Sequence, residues 1–146
     1  MLRFASIGTF LVTVAVASVP YCPDGTIAYK GNCLHFMTAK NTFNMTQMTC
    51  ASLHPNATLF GFENKDELSA LKMWMPLQVP IWVSKAPAGR MQRKSEKPET
   101  KGVKGPKAPK CPALYNSQKR TDFPNLTCAK QYQFICTHPA PQCNQQ

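Results

Sequence analysis

The chain has 146 residues, 17 of them Lys or Arg and seven Asp or Glu, for a formal charge of +10. That length holds one domain of ordinary size and excludes a large multidomain enzyme, and a hydrophobic content of 43% excludes a wholly disordered polymer. Seven cysteines, an odd number, are many for a cytosolic protein this small, so the redox compartment is the first question.

Met1-Leu2-Arg3 carries one positive charge, and an apolar run from Phe4 to Ala17 follows. The run is too short to span a bilayer. Ala15 and Ala17 form an A-x-A site, which predicts cleavage before Ser18, with a cut before Val19 nearly as good. Residues 1–17 read as a secretory signal peptide; the alternative is a buried core helix. No other stretch is long and apolar enough to cross a membrane, so the reading is a secreted, extracellular protein without a transmembrane anchor.

Tyr21-Cys22-Pro23-Asp24-Gly25 is turn chemistry. Residues Thr26–Tyr29 predict a short strand, Lys30-Gly31-Asn32 a turn, and Cys33–Phe36 the returning strand. Cys22 and Cys33 flank this hairpin, which makes a bridge between them geometrically easy. Asn41 to Leu53 predicts a helix capped by Asn41 or Thr42, with Phe43, Thr46, Met48 and Cys50 on or near one face. His54-Pro55-Asn56 breaks it, and the short apolar run Leu59–Phe62 follows. Asn64 with Glu67 three residues later is a capping box that opens a second helix through about Trp74. Leu68, Leu71 and Met75, with Trp74 beside them, should face the core. Pro76 ends it, and Val79–Val83 is a strand candidate that starts after Pro80.

The composition changes at Lys85. From there to Lys110 stand nine basic residues (Lys85, Arg90, Arg93, Lys94, Lys97, Lys101, Lys104, Lys107 and Lys110) against Glu96 and Glu99, a net +7. The segment has almost nothing apolar to bury and reads as a long mobile loop. Order should resume at Cys111–Tyr115 and close with a strand from Gln131 to Cys136. Residues 138–146 read as a flexible tail that carries Cys143. Asn44, Asn56 and Asn125 each open an N-glycosylation triplet, with Asn125 disfavoured by the nearby Cys128.

Several segments then fall into one order: CPDGTIAYKGNCLHF, a helix with Phe43 seven residues before Cys50, LFGFENKDEL, IWVSK, the Cys111 and Cys128 pair, and QYQFIC. Over residues 21–137 this resembles a C-type lectin-like domain of the long form. The resemblance implies an α+β fold of two small antiparallel sheets with two helices and a projecting long loop, here residues 85–110. Six cysteines alone allow 15 pairings. The resemblance implies Cys22–Cys33, Cys50–Cys136 and Cys111–Cys128, leaving Cys143 as the odd cysteine, either free or the link of a disulfide-bonded dimer.

The calcium-dependent sugar-binding members of that family use an EPN or QPD tripeptide in the loop and a W-N-D triplet before the next-to-last cysteine. Here no EPN or QPD occurs, and the triplet position reads Phe123-Pro124-Asn125. Calcium needs several hard anionic oxygens. Glu96, Glu99 and Asp122 are the only nearby carboxylates, among nine positive charges that repel a divalent cation. A zinc site lacks any C-x-x-C or H-x-x-x-H spacing.

The expectation is therefore a non-enzymatic recognition module with no cofactor or metal. It should bind a glycan or protein ligand without calcium, and its basic segment could take a sulfated glycosaminoglycan or another polyanion. A solvated loop whose charge serves solubility is the plainer reading of that segment. It has no aromatic residues to stack bases, so no specific nucleic-acid ligand is expected. The alternatives are a calcium-dependent lectin with an atypical site and a structural or matrix component. No histidine has a nucleophile and a positioned carboxylate beside it in sequence, so an enzyme is the weakest class.

Overall fold

The first hairpin shows how local chemistry sets register. Strands β1 (Ile27–Tyr29) and β2 (Asn32–Asn41) pair antiparallel with Tyr29 opposite Asn32. The two residues between them, Lys30 and Gly31, have φ of 47° and 75°. Two positive φ values in a two-residue loop match the right-handed twist of the flanking strands, and glycine takes the second without a Cβ penalty. The computed structural model describes residues 21–87 and 107–141. The leader read at 1–17, the basic positions Arg90, Arg93, Lys94, Lys97, Lys101 and Lys104, and Cys143 lie outside them.

After β2 come helix α1 (Phe43–Leu53), strand β3 (Thr58–Leu59), helix α2 (Lys65–Leu71) with a 3-10 turn (Lys72–Trp74), and strand β4 (Pro80–Trp82). Beyond the long segment stand β5 (Lys110–Asn116), β6 (Thr121–Asp122), β7 (Asn125–Thr127) and β8 (Tyr132–Pro139). The class is α+β, with two helices and the three bridges Cys22–Cys33, Cys50–Cys136 and Cys111–Cys128.

The strands form one hydrogen-bonded network in the order β1-β2-β8-β4-β5-β6, with β3 on β8 and β7 on β5. β7 pairs with β5 as a small second sheet, and β8 is the hub of the larger one. Along one edge it pairs with β2. Along the other, its first half runs parallel to β4, with Trp82 beside Phe134, and its second half antiparallel to β3, with Leu59 beside Cys136. One strand thus serves three partners. β8 also extends through His138 and Pro139, beyond the start drawn for the tail, because His138 pairs with Cys33 and the Ala140 N–H donates to Gly31 O at 2.9 Å.

Strand alternation sorts the core onto two faces. Ile81, Val83, Leu114 and Ile135 join Leu34, Phe60, Phe62, Leu71 and Met75 on one. Trp82, Ala113, Phe134 and Cys136 join Cys50, Ala57 and Leu59 on the other. Both faces of β4 and β8 are covered, so their sequences read as continuous apolar runs, IWV and FIC. Trp82 is fully buried between the edge of Phe43 at 5.5 Å and Tyr132 at 4.9 Å, and its indole N–H donates to Asn41 O at 2.9 Å.

Two residues expected inward point out. Met48 is 65% exposed. On α1 the inward line runs Phe43, Thr46, Cys50 at helical spacing, and Met48 lies two residues from Thr46, on the opposite side. Trp74 is 57% exposed, because the chain tightens from α to 3-10 at Lys72 and Met75 takes the inward place instead. At the α2 start, Asn64 Oδ1 accepts from the Glu67 N–H at 3.0 Å, while the Glu67 carboxylate reaches back to the Glu63 N–H at 2.7 Å, one residue beyond the usual box.

Candidate functional site

The long basic segment leaves from the end of β4 and returns into β5, and these two strands are paired, Trp82 beside Ala113. Both feet of the segment therefore stand at one end of the sheet. The outgoing foot is clamped: the Ser84 N–H donates to Phe60 O at 2.8 Å and the Phe62 N–H to Lys85 O at 3.1 Å. Between these bonds sits Gly61, where a Cβ would meet the Lys85 backbone nitrogen at 3.1 Å and the side chains of Ser84 and Lys85 closer still. A side chain there would have to displace Ser84 and Lys85, so glycine suits this close approach of two backbones. The returning foot is fixed by the Cys111–Cys128 bridge and by the Cys128 N–H donating to Pro109 O at 3.2 Å.

Of the nine basic positions, Lys85, Lys107 and Lys110 are described, and all three are exposed. Lys85 is ion-paired to Glu63 at 2.5 Å, and the Lys110 ammonium donates to Thr127 Oγ1 at 3.2 Å. Beside the outgoing foot opens a polar hollow of about 300 Å³ lined by Lys30, Glu63, Glu67, Ser84 and Lys85. Glu67 is buried there and its Oε1 meets the Lys30 ammonium at 3.1 Å. Burial alone would raise the Glu67 pKa. The Glu63 N–H, the Lys30 ammonium and the Asn64 backbone outweigh it and hold the carboxyl below its usual range. Lys30 is raised, chiefly by its hydrogen bond to Glu67.

The segment 121–125 runs back along β5, from Asn116 and Tyr115 at its far end to Pro112 near the returning foot. The Asp122 carboxylate takes the Arg120 Nε–H at 2.7 Å. Phe123 packs edge-on against Phe62 at 5.5 Å. Pro124 O accepts from the Ala113 N–H at 3.0 Å, and Asn125 pairs with Pro112 in β7. Asp122 is the single carboxylate between Lys107 and Lys130. Among the described residues no group of three or more His, Cys, Asp or Glu is arranged to hold a metal ion. The donor set at 121–125 does not fit calcium.

The sequon asparagines are spread out: Asn44 on the outer face of α1, Asn56 in the turn after it, and Asn125 on β7, all exposed. Two features escaped the sequence reading. One is an apolar groove of about 290 Å³ lined by Phe36, Met37, Trp74, Met75, Ile81 and Phe134, with Trp74 at its rim. The other is the meeting of all three histidines, His35, His54 and His138. The outward turn of Trp74 depends on the switch to 3-10, and the histidines meet only through the β2–β8 pairing, so neither has a local sequence signal. No helix among the described residues is long and apolar enough to cross a membrane.

No family model matches the chain. Among curated proteins it is 34% identical over 65 residues to Protein A40 of Vaccinia virus strain Copenhagen, which covers 44% of this chain and 37% of that protein. Against Protein A40 of strain Western Reserve the identity is 35% over 51 residues, covering 35% of this chain and 32% of the relative. The chain spans about a third of the length of the curated relatives it matches. Among solved structures, the integrin α2β1 antagonist EMS16 superposes with a TM-score of 0.61 at 13% identity, covering 82% of this chain and 100% of the other. The mouse CD72a C-type lectin-like domain gives 0.60 at 19%, covering 85% and 98%. The C-type lectin domain of murine dendritic cell inhibitory receptor 2, solved with an N-glycan, gives 0.60 at 15%, covering 82% and 99%. With the three bridges and the β8-centred sheet, these superpositions identify the fold as that of the C-type lectin-like domains.

Proposed function

We propose that the chain is a secreted recognition module that binds a glycan or protein ligand without calcium, at the end where the basic segment stands. The observation that carries this reading is the state of residues 121–125. Asp122 is paired with Arg120, Phe123 is packed against Phe62, the Pro124 and Asn125 backbones pair with β5, and Asn125 is neutral, so the segment offers a divalent cation one carboxylate already in an ion pair. The net +7 between Lys85 and Lys110 adds repulsion against a cation and attraction for an anion. Structural neighbours bearing this fold include an integrin antagonist and a receptor domain solved with an N-glycan, so the fold serves both ligand classes. Lysine-rich segments attach loosely and with strong salt dependence, which suits a sulfated glycosaminoglycan or another polyanion.

Melting in millimolar calcium and in chelator tests the first part. A ligand that binds only the folded state at 100 times its Kd stabilises by about 2.7 kcal/mol, a shift of several degrees. Equal melting temperatures are expected, and a rise in calcium would overturn the reading. The polyanion ligand is tested by heparin retention against a variant with six segment lysines changed to glutamine. Earlier elution of the variant is expected, and equal elution rejects this ligand class. Cys143 is the candidate for a covalent dimer, which predicts that the wild type, and not Cys143→Ser, migrates as a dimer on a non-reducing gel.

A further inference from the structure

All three histidines of the chain meet at His138, which stacks on His54 and meets His35 at a tilt. They come from three separate elements: His35 from β2, His138 from β8, and His54 from the turn after α1. His138 is central and buried, with ring centroids at 4.9 Å to His35 and 4.4 Å to His54, the latter nearly parallel at 12°. We propose that this stack is an acid-sensitive latch that holds the turn after α1 against β8 when its rings are neutral and releases it when they are protonated.

The hydrogen bonds fix the role of one nitrogen on each of two rings. The His138 Nδ1–H donates to Pro139 O at 2.8 Å, since a carbonyl can only accept. His54 Nδ1 accepts from the Asn56 N–H at 3.4 Å, so that nitrogen carries no proton. Protonating it would set one N–H against another. His35 Nε2 is buried without a hydrogen-bond partner, so a proton placed there would find no acceptor.

The surroundings supply no compensating charge among the described residues. Helix α1 and strand β3 contain no titratable side chain other than the bridged Cys50. On β1 there is only Tyr29, with Asp24 and Lys30 in its flanking turns. β2 adds Lys40 near its far end and β8 adds Tyr132 at its start, while Cys22, Cys33 and Cys136 are bridged. The charges that act on His35 are His138 and His54 alone, both of its own sign. Burial, then these two neighbours, hold its imidazole below the usual range near 6.5.

For a base depressed in the folded state, the unfolded chain binds more protons just below pH 6.5. Stability is full above that pH and falls as pH drops through the folded value. The part that gives way first is the His54 turn. Its outer ties are the Ala57 N–H to His54 O bond at 2.9 Å and the two-residue strand β3. Asn56 and its sequon ride on this turn.

The test uses the full chain. Hydrogen exchange at the Ala57 amide is followed from pH 7.5 to 5.0, corrected for the intrinsic rate, in the wild type and in His54→Gln. A drop in wild-type protection of about tenfold, with little drop in the variant, is expected. Equal drops in the two proteins would overturn the latch. Should the variant not fold, an NMR titration of the wild-type imidazoles decides alone: His35 titrating clearly below 6.5 supports the latch, and His35 titrating at or above it rejects it.

Discussion

Glu67 carries two tasks in one side chain. It completes the start of α2 and it pins the first hairpin through Lys30. Glu67→Ala should cost about 1–3 kcal/mol in urea unfolding at pH 7, because two donors lose a charged acceptor. The pH dependence has a definite sign. Its folded pKa is depressed, so the contribution is present above the unfolded value near 4.5 and is lost as pH falls through the lower folded one. Glu67→Gln should therefore lie below the wild type at pH 7 and converge with it once pH falls below the folded value. Parallel curves across that range would show that the carboxylate does not act through its charge. Trp82 makes a second test. Trp82→Phe keeps most of the ring but leaves Asn41 O without its donor, and should lose about 1–3 kcal/mol in the same assay. Glu67 was legible as a cap from Asn64-x-x-Glu67, and Trp82 as a core residue on a strand. The hairpin partner of Glu67 was not, since Lys30 lies 37 residues away.

Elements with a local signature read cleanly from the sequence. The hairpin, the α2 start, β5 and β8 follow from turn residues, the Asn64 cap and apolar runs, whereas α1 starts after Thr42 without a side-chain cap bond and β4 takes in Pro80 itself. What was not legible lies where pairing over long separations decides the outcome. β8 joins β2, β3 and β4, and no local pattern states that one strand has three partners. The exposed side chains of Met48 and Trp74 fall at points where helical phase matters more than composition. Gly61 marks the seam between segment 60–62 and the outgoing foot of the basic segment. Gly61→Ala should push these two strands of backbone apart, weakening the Ser84 to Phe60 and Phe62 to Lys85 hydrogen bonds. Faster hydrogen exchange at Ser84 and Phe62, with the Trp82 region unchanged, is the expected result; unchanged exchange at both amides would show that the seam accommodates a methyl group.

At the scale of the molecule, three bridges tie the hairpin, the first helix and the long-segment base into one body. The Cys50–Cys136 bridge has the longest sequence separation, 86 residues, and joins α1 to β8 in the core. Replacing both cysteines with serine should cost about 2–5 kcal/mol, measured by denaturant unfolding. A much smaller loss would assign the stability to the two apolar faces instead. The candidate site follows the same division between local and distant. Its charge and the missing carboxylates were legible, because they are composition. The locking of Asp122 by Arg120 and the packing of Phe123 on Phe62 were not, because they depend on where β6 lands. Ligand recognition at the base of the basic segment should not need calcium. The decisive measurement is binding of the full chain to an array of glycans, including sulfated ones, first in calcium and then in chelator. The same bound set at the same intensities is expected in both; binding that chelator abolishes would show that a calcium site holds the ligand.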